Sequence, residues 1–551
     1  MESTNSKTSR FANLAEFQRR TPAPEPLSRL LARAAERFGD RPHLTFLNRT
    51  WTFEETYGLA RRLSAGLQAQ GVGAGDRVGI CLANLPHYPL ACFALWGLGA
   101  AGVGMNPLYS PRQLSGIAAD SGIRWLLTSD HPASIGKLRE IAAQAGCRLI
   151  VCRADAADLA GGPPPELCEG EVALSDLLAA APAPASGWGD ADVDALAMIQ
   201  YTGGTTGAPK GAMLSHTNVW FAAHQIRNWL HRIRDGREAW YAAAPFSHIT
   251  GLVNYIVEPA IVGGEAILTE RFSPRELLEL VRHGRLTILT AIPTMLSAIV
   301  AEPDAGELDW SGVIHVLVGG APVPLELARR FHDLTGLWPQ QGYAMTETSG
   351  SGVAMPNSAV PGHECATGLP MNDVPIEIRS VDDPSRRMPP GEPGEVCFGG
   401  PNVIKSYWNR PLTDNELTPD GLFRSGDVGY LSEDGALYVV DRLKDVIICS
   451  GYNVYPRTIE DAVLEHPAVA ETVAVGAPDD YRGETVLSVV TLRPGASLSL
   501  PELQAFLREK LSPIEMPKRL EILDAIPKTE NAKLSRQAIR AMFSTPAPAP
   551  A

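Results

Sequence analysis

Between Tyr201 and Gly211 the chain reads Tyr-Thr-Gly-Gly-Thr-Thr-Gly-Ala-Pro-Lys-Gly, and no other stretch constrains the fold as strongly. So many glycines with a proline exclude a helix or strand interior, so the segment is a loop, entered from the apolar strand Leu196-Ala197-Met198-Ile199. Glycines let a backbone turn tightly and bring its N–H groups close to oxyanions, threonine hydroxyls add donors, and Lys210 adds a point charge. That is the make-up of a cradle for nucleotide phosphate. The Walker pattern is different, because it needs Gly before the lysine and Ser or Thr after it, whereas Pro209 precedes Lys210 and Gly211 follows. Clusters of Gly, Thr and Pro are more often plain turns. Here eleven successive residues serve one chemical purpose, which favours phosphate.

At 551 residues the chain exceeds one core, so two or more domains are expected. A net charge of -14 argues against a general nucleic-acid binder, which presents a basic face. The eight cysteines are scattered, with no C-x-x-C pair, and a reduced, cytoplasmic setting is expected. The start, MESTNSKTSR, lacks the apolar core of a signal peptide. The run Pro89 to Pro107 is nearly free of polar groups, but its length is marginal for a membrane span and it is rich in Gly and Ala. A buried helix running into a buried strand is expected instead. The G-x-G-x-x-G within it, Gly97 to Gly102, is read as close packing, since Pro107 leaves no room for the helix a dinucleotide site needs.

Helical spacing runs from Leu27 to Phe38, and Trp51-Thr52-Phe53-Glu54-Glu55 opens a capped helix. Short strands at Val78–Leu82, Trp125–Leu127 and Leu149–Val151 alternate with helices, the rhythm of an α/β domain with parallel strands. Residues 153 to 192, with Pro163-Pro164-Pro165, read as surface loops around one short helical patch. After the cradle come a helix from Ser215 to Leu230 and strands at Tyr241–Ala244, Glu265–Leu268, Leu286–Leu289 and Val313–Val318. From about residue 374 the strands shorten into a β-rich subregion, and strands and helices alternate again after Asp441. Residues 1 to 20 are expected to be loosely held, and 545–551 to be a disordered Pro/Ala tail.

Taken together and in this order, these motifs resemble the adenylate-forming superfamily, and within it the AMP-forming acyl-CoA synthetases. The resemblance covers nearly the whole chain. It implies an α/β fold with a large N-terminal adenylating domain (1–440), a hinge (441–445) and a small mobile α+β C-terminal domain (446–544), the active site lying between the two domains. YTGGTTGAPKG matches the family's phosphate loop, implying nucleotide contacts from Thr202, Gly203, Gly204, Thr205, Thr206, Gly207 and Lys210. Pro245-Phe246-Ser247-His248-Ile249-Thr250-Gly251 matches the acyl-pocket motif. Gly320-Ala321-Pro322 and Gln341-Gly342-Tyr343-Ala344-Met345-Thr346-Glu347 match the adenine wall and the ATP–magnesium motif. The resemblance implies that Tyr343 stacks on adenine, Thr346 meets phosphate, and Glu347 with Thr202 holds magnesium. Asp427 accepts from the ribose hydroxyls, Arg442 and Lys444 belong to the hinge motif, Gly451 lies on the loop that admits the thiol of coenzyme A, and Lys533 is the catalytic lysine.

The chemistry accounts for these residue types. A carboxylate is a poor electrophile, so ATP converts it to an acyl adenylate with release of pyrophosphate. An anionic acid must approach an anionic α-phosphate, and positive charge has to be concentrated where they meet. Two positions depart from the family pattern: Ala532 stands where Gly usually precedes the lysine, and Ile448 where many members carry lysine. These bear on rates and on coenzyme A contacts rather than on reaction type.

The pocket candidates His248, Gly251, Val253, Ile292, Gly319, Met345 and Gly350 are apolar or small apart from the histidine, and the pocket motif lacks the aspartate that amino-acid-activating relatives use. A medium- or long-chain fatty acid is the expected substrate, with coenzyme A as acceptor. An aryl acid, or a carrier-protein thiol as acceptor, is the alternative. A nucleotide-binding regulator without catalysis is disfavoured by the intact Lys533, Glu347 and Asp427, and an α/β-hydrolase by the lack of G-x-S-x-G. No nucleic-acid partner is expected, and a homodimer and peripheral membrane contact stay open.

Overall fold

The computed structural model describes residues 20–179, 188–202, 209–357, 360, 362–449, 452–479, 483–528 and 534–543. The expected loose N-terminus up to Arg19, the Pro/Ala tail, Gly203–Gly207, Gly451, Ala532 and Lys533 lie outside these residues. The chain divides into two compact units. One runs to Pro375 and takes in Phe398–Leu417; the other holds Ile376–Cys397 and the chain from Thr418 onward.

The first unit is α/β, built on two nine-stranded sheets. In one, the strands Leu196–Thr202, Ala101–Gly104, Arg77–Cys81, Trp125–Ser129 and Arg148–Cys152 lie side by side and parallel. Their residues are buried almost throughout, as helices on both faces of a parallel sheet require. In the other, Ala239–Ala242, Glu265–Leu268, Ile288–Ala291, His315–Val318 and Gln340–Tyr343 form the parallel core. Each sheet has its own apolar cluster, around Leu126, Val103 and Ile141 in the first and around Leu289, Val316 and Phe331 in the second.

Local sequence explains the helices. Leu27–Phe38 is helical with its apolar stripe buried. Thr52 caps Phe53–Ala69: its hydroxyl accepts from Glu55 N–H while the Glu55 carboxylate accepts from Thr52 N–H. The apolar run resolves into the fully buried helix His87–Gly97 and the buried strand Ala101–Gly104. Among the described residues no helix is long and apolar enough to cross a membrane.

Three local expectations are revised. The strand at Tyr241–Ala244 lies instead at Ala239–Ala242, because Ala243 N–H turns back onto Tyr241 C=O. The strand at Leu286–Leu289 starts later, at Ile288. The part of 153–192 up to Ala179 is less superficial than its prolines suggest: Val172–Ala173 extends the sheet, and Asp158 is buried against His87 Nε2 at 3.0 Å.

The second unit carries two further sheets. Ile376–Arg379, Gly394–Phe398, Phe423–Leu431 and Leu437–Arg442 form one, the β-rich stretch seen in the sequence. The other joins Tyr452–Val454, Ile447–Cys449, Gly483–Leu492 and Val469–Asp479, with Arg519–Ile522 alongside. The helices Pro456–Leu464 and Leu500–Leu507 share its core with Val486 and Val490.

Candidate active site

The strands on either side of the glycine-rich segment pair with each other. Leu196–Thr202 is followed by an antiparallel strand, Lys210–Ser215, with Tyr201 opposite Gly211 and Thr202 opposite Lys210. Sequence reasoning misses this return strand, which comes before the helix His216–Trp229. Both ends of the loop are thus fixed in the sheet. Tyr201 donates to Asp120 Oδ2 at 2.6 Å. Gly211 is packed closely: a Cβ there would lie 2.8 Å from Ile199 and 3.3 Å from Trp408, so a larger residue would have to displace Ile199.

Beside this hairpin the chain returns two hundred residues later as a second small hairpin, Ser406–Tyr407 with Arg410–Pro411. Tyr407 of this hairpin and Glu416 just after it flank Lys210. The ammonium is 3.4 Å from Glu416 Oε1 and 5.2 Å from the centre of the Tyr407 ring. The Arg410 guanidinium pairs with the same carboxylate oxygen and lies 5.0 Å from the same ring. The Tyr407 hydroxyl donates to Glu347 Oε1 at 2.9 Å, so one tyrosine links the lysine of the loop to the expected metal carboxylate. Burial and the Glu347 charge push the phenol up. For Glu416, burial alone would raise the carboxyl, but hydrogen bonds from Thr413 and Arg410 outweigh it and hold it at about 2.

In the other sheet, the expected adenine and acid residues follow the carboxyl ends of adjacent parallel strands, where open α/β sheets bind ligands. Gly319–Pro322 follows His315–Val318; Met345–Glu347 follows Gln340–Tyr343. Gly319 and Gly342 are neighbours, a Cβ on Gly319 coming 3.7 Å from Gly342 O. The Gln341 side-chain oxygen accepts from Val323 N–H at 2.9 Å and ties the two segments together. Tyr343 lies 5.6 Å from Phe398, ring to ring. Thr346 and Glu347 sit on a 3-10 turn, and Glu347 C=O accepts from Ile404 N–H at 2.9 Å.

The motif Pro245–Gly251 is fixed by Asn84, another residue the sequence reading did not single out. The Asn84 amide donates to Ala242 O at 2.8 Å and Ala244 O at 3.0 Å, and its oxygen accepts from Phe246 N–H at 2.9 Å. His248 caps the following turn, Nδ1 accepting from Thr250 N–H at 3.3 Å. Gly251 packs so closely that a Cβ would stand 2.2 Å from Pro245 O. Val253 is buried on a π-helical segment, Leu252–Val257, a form often found at functional sites. Gly350 lies against Ile249, which brings the turn after Met345 beside the acyl motif. Glu258 follows the π-helical segment; it is fully buried, neither carboxylate oxygen has a hydrogen-bond partner among the described residues, and burial pushes it up to about 8.

In the second unit, Asp427 pairs with Arg442 across neighbouring strands, with Arg442 Nε 3.3 Å from Asp427 Oδ1. Lys444 lies on the 3-10 turn Leu443–Asp445; burial and the nearby Arg442 pull its amine down, against the pull of Asp445 and Asp427. Asp445 is held by Arg540 at 2.9 Å, on the last helix. Ile448 is exposed, its N–H bonded to Glu484. On either side of the stretch that holds Lys533, Lys528 stands opposite Leu534, and Ser535 N–H donates to Pro527 O at 2.8 Å.

Among the described residues no group of three or more His, Cys, Asp or Glu is placed to hold a metal ion. Magnesium does not demand one, because bound to a nucleotide it takes one or two carboxylates and draws its other ligands from phosphate and water. Glu347 offers one such carboxylate, its Oε1 held by the Tyr407 hydroxyl.

Known proteins correspond to this arrangement along its length. The AMP-binding enzyme family matches residues 31–408, and the AMP-binding enzyme C-terminal domain matches 458–533. A long-chain-fatty-acid–CoA ligase of Bacillus subtilis (strain 168) is 32% identical over 550 residues, covering 95% of this chain and 96% of that protein. A feruloyl-CoA synthase of an Amycolatopsis species is 34% identical over 506 residues, covering 91% and 96%. ATP-bound MatB from Rhodopseudomonas palustris superposes with a TM-score of 0.83 at 26% identity, over 94% of this chain and 99% of that one. Paired strands flanking the glycine-rich segment, strand ends bearing the motifs expected to meet adenine and acid, and matches spanning both compact units lead to one conclusion: the chain belongs to the AMP-binding enzyme family.

Proposed function

We propose that this enzyme is an AMP-forming acid–CoA ligase that joins a medium- or long-chain fatty acid to AMP, releasing pyrophosphate, and then passes the acyl group to coenzyme A. The observation that carries this reading is the Lys210–Tyr407–Glu347 arrangement beside the phosphate hairpin. It sets a cation for the departing pyrophosphate near a carboxylate suited to magnesium.

The division of labour follows from charge. Thr202 and Lys210 hold the polyphosphate, and Thr346 donates to it. Glu347, held by Tyr407, and Thr202 would hold magnesium, which neutralises phosphate charge when bound. Lys533 supplies the positive charge between the acid and the α-phosphate; a lysine suits that task, being a compact point charge on a flexible stem. Tyr343 offers a ring face to adenine, and Asp427 accepts from ribose. In the second step the thiol of coenzyme A attacks the acyl carbonyl and AMP leaves, with Gly451 on the loop that admits it and Lys444 at the turn between the two steps.

The acid is argued from the pocket candidates. Val253, Ile292 and Met345 are apolar and Gly251, Gly319 and Gly350 leave room, which supports an alkyl chain. The similarity to a feruloyl-CoA synthase supports an aryl acid as the second reading. A reduced, cytoplasmic setting suits a chain whose cysteines are mostly buried. The test is pyrophosphate release from a panel of fatty acids of graded length and of aryl acids, with coenzyme A and a carrier protein compared as acceptors. Acyl-CoA is expected only when ATP, acid and coenzyme A are all present. Adenylate formation without any acyl-CoA sinks the ligase reading.

A further inference from the structure

Lys210 and Arg410 share more than proximity. Both cations meet one oxygen of Glu416, and both lie over the ring of Tyr407. The carboxylate is nearly enclosed, its side chain 12% exposed, while the lysine and arginine side chains keep 42% and 41% of theirs in solvent. Its other oxygen is occupied by Thr413, which donates from N–H at 3.1 Å and from the hydroxyl at 2.6 Å. Two cations therefore answer to a single carboxylate. In addition, Arg410 Nε is buried and has no acceptor among the described residues. A guanidinium carries five N–H donors in a rigid fork that matches phosphate oxygens two at a time. Glu416 Oε1 takes up Nη2, and Nε stays open to a second oxygen.

We propose that Arg410 is a second pyrophosphate ligand alongside Lys210, and that Glu416 is the internal counter-anion which both cations exchange for the polyphosphate of the nucleotide. This rests on the reading of residues 201–211 as the phosphate loop given under Proposed function. A carboxylate carries one charge and a terminal phosphate close to two, so the exchange is favourable once nucleotide arrives. In its absence Glu416 keeps two like charges from repelling each other over one ring. Because Glu416 competes with the ligand, it weakens nucleotide and pyrophosphate binding and speeds pyrophosphate departure. A purely structural tie between the two hairpins would use the same contacts but would affect stability alone.

The experiment uses the full chain, measuring ATP–pyrophosphate exchange with a fatty acid and calorimetric titration with magnesium pyrophosphate. Arg410→Gln is expected to raise KM for pyrophosphate and for ATP about tenfold, the loss of a charge-assisted contact, and to leave KM for the acid unchanged. Arg410→Lys should recover part of the loss. Glu416→Gln keeps the hydrogen bonds to Thr413 and removes the charge, so pyrophosphate should bind several-fold more tightly. If Arg410→Gln lowers the melting temperature but leaves both KM values within twofold, or if Glu416→Gln weakens pyrophosphate binding, the proposal is overturned. Wild-type protein that binds neither ATP nor pyrophosphate overturns the ligase reading as well; normal wild-type binding with indifferent variants overturns this inference alone.

Discussion

Tyr407 reaches across sixty residues of sequence to donate its phenolic hydrogen to Glu347 at 2.9 Å. A carboxylate that must meet a metal in one orientation is more useful when a neighbour has already fixed its torsion. Tyr407→Phe keeps the ring beneath Lys210 and deletes only this bond. A hydrogen bond to a charged group contributes about 1.5–3 kcal/mol, so adenylation should slow roughly ten- to a hundredfold, with a raised magnesium requirement. Steady-state pyrophosphate release at graded magnesium concentrations measures both effects. Unchanged rates would mean that Glu347 needs no such support.

Lys533→Ala should cripple formation of the acyl adenylate, where two anions must be brought together. It should largely spare the attack of coenzyme A on acyl adenylate supplied ready-made, in which no such approach occurs. Equal loss in the two half-reactions would refute the role assigned to this lysine.

Gly251→Ala puts a methyl group within 2.2 Å of Pro245 O, and the atoms it meets are main chain. Side-chain repacking cannot relieve that clash, so the acyl motif itself must move. Destabilisation at or above the usual 1–3 kcal/mol for overpacking is expected, with KM for the acid rising more than KM for ATP. Thermal unfolding and the two KM values, read on the same preparation, separate the effects.

Glu258 makes stability depend on pH. Its folded pKa, about 8, lies above that of an unfolded glutamate, so the folded chain holds the proton more tightly. The contribution is therefore fully present below about pH 4.3 and is lost as pH rises towards 8, by an amount on the order of 3–5 kcal/mol. Glu258→Gln removes the titration. The variant should unfold later than wild type at pH 8, and the gap should shrink on going to pH 5. A gap that stays constant with pH would mean that Glu258 is charged when buried.

Elements announced by local rules could be read in the sequence. The Leu27–Phe38 stripe, the Thr52–Glu55 capping box and the apolar run that becomes His87–Gly97 each carry their signal within a few residues. The strand Lys210–Ser215 does not, because its partner, Leu196–Thr202, and not its own alternation makes it a strand. Arg410 and Glu416 sit in an unremarkable polar stretch and gain meaning only when a hairpin two hundred residues away packs beside it. Asn84 is similar, since nothing around it announces that its amide will meet residues 242 to 246. Glu258 stands in an apolar run, and its isolation becomes visible only once the neighbours are in place.

The hold of Asn84 on the acyl motif is written entirely in main-chain atoms: two carbonyl oxygens and one N–H. Such an anchor is indifferent to the side chains the motif displays. Ser247 and Thr250 can be exchanged without removing the bonds that aim them. A scaffold of this kind can be turned to a new acid by a few substitutions while its nucleotide chemistry stays as it was.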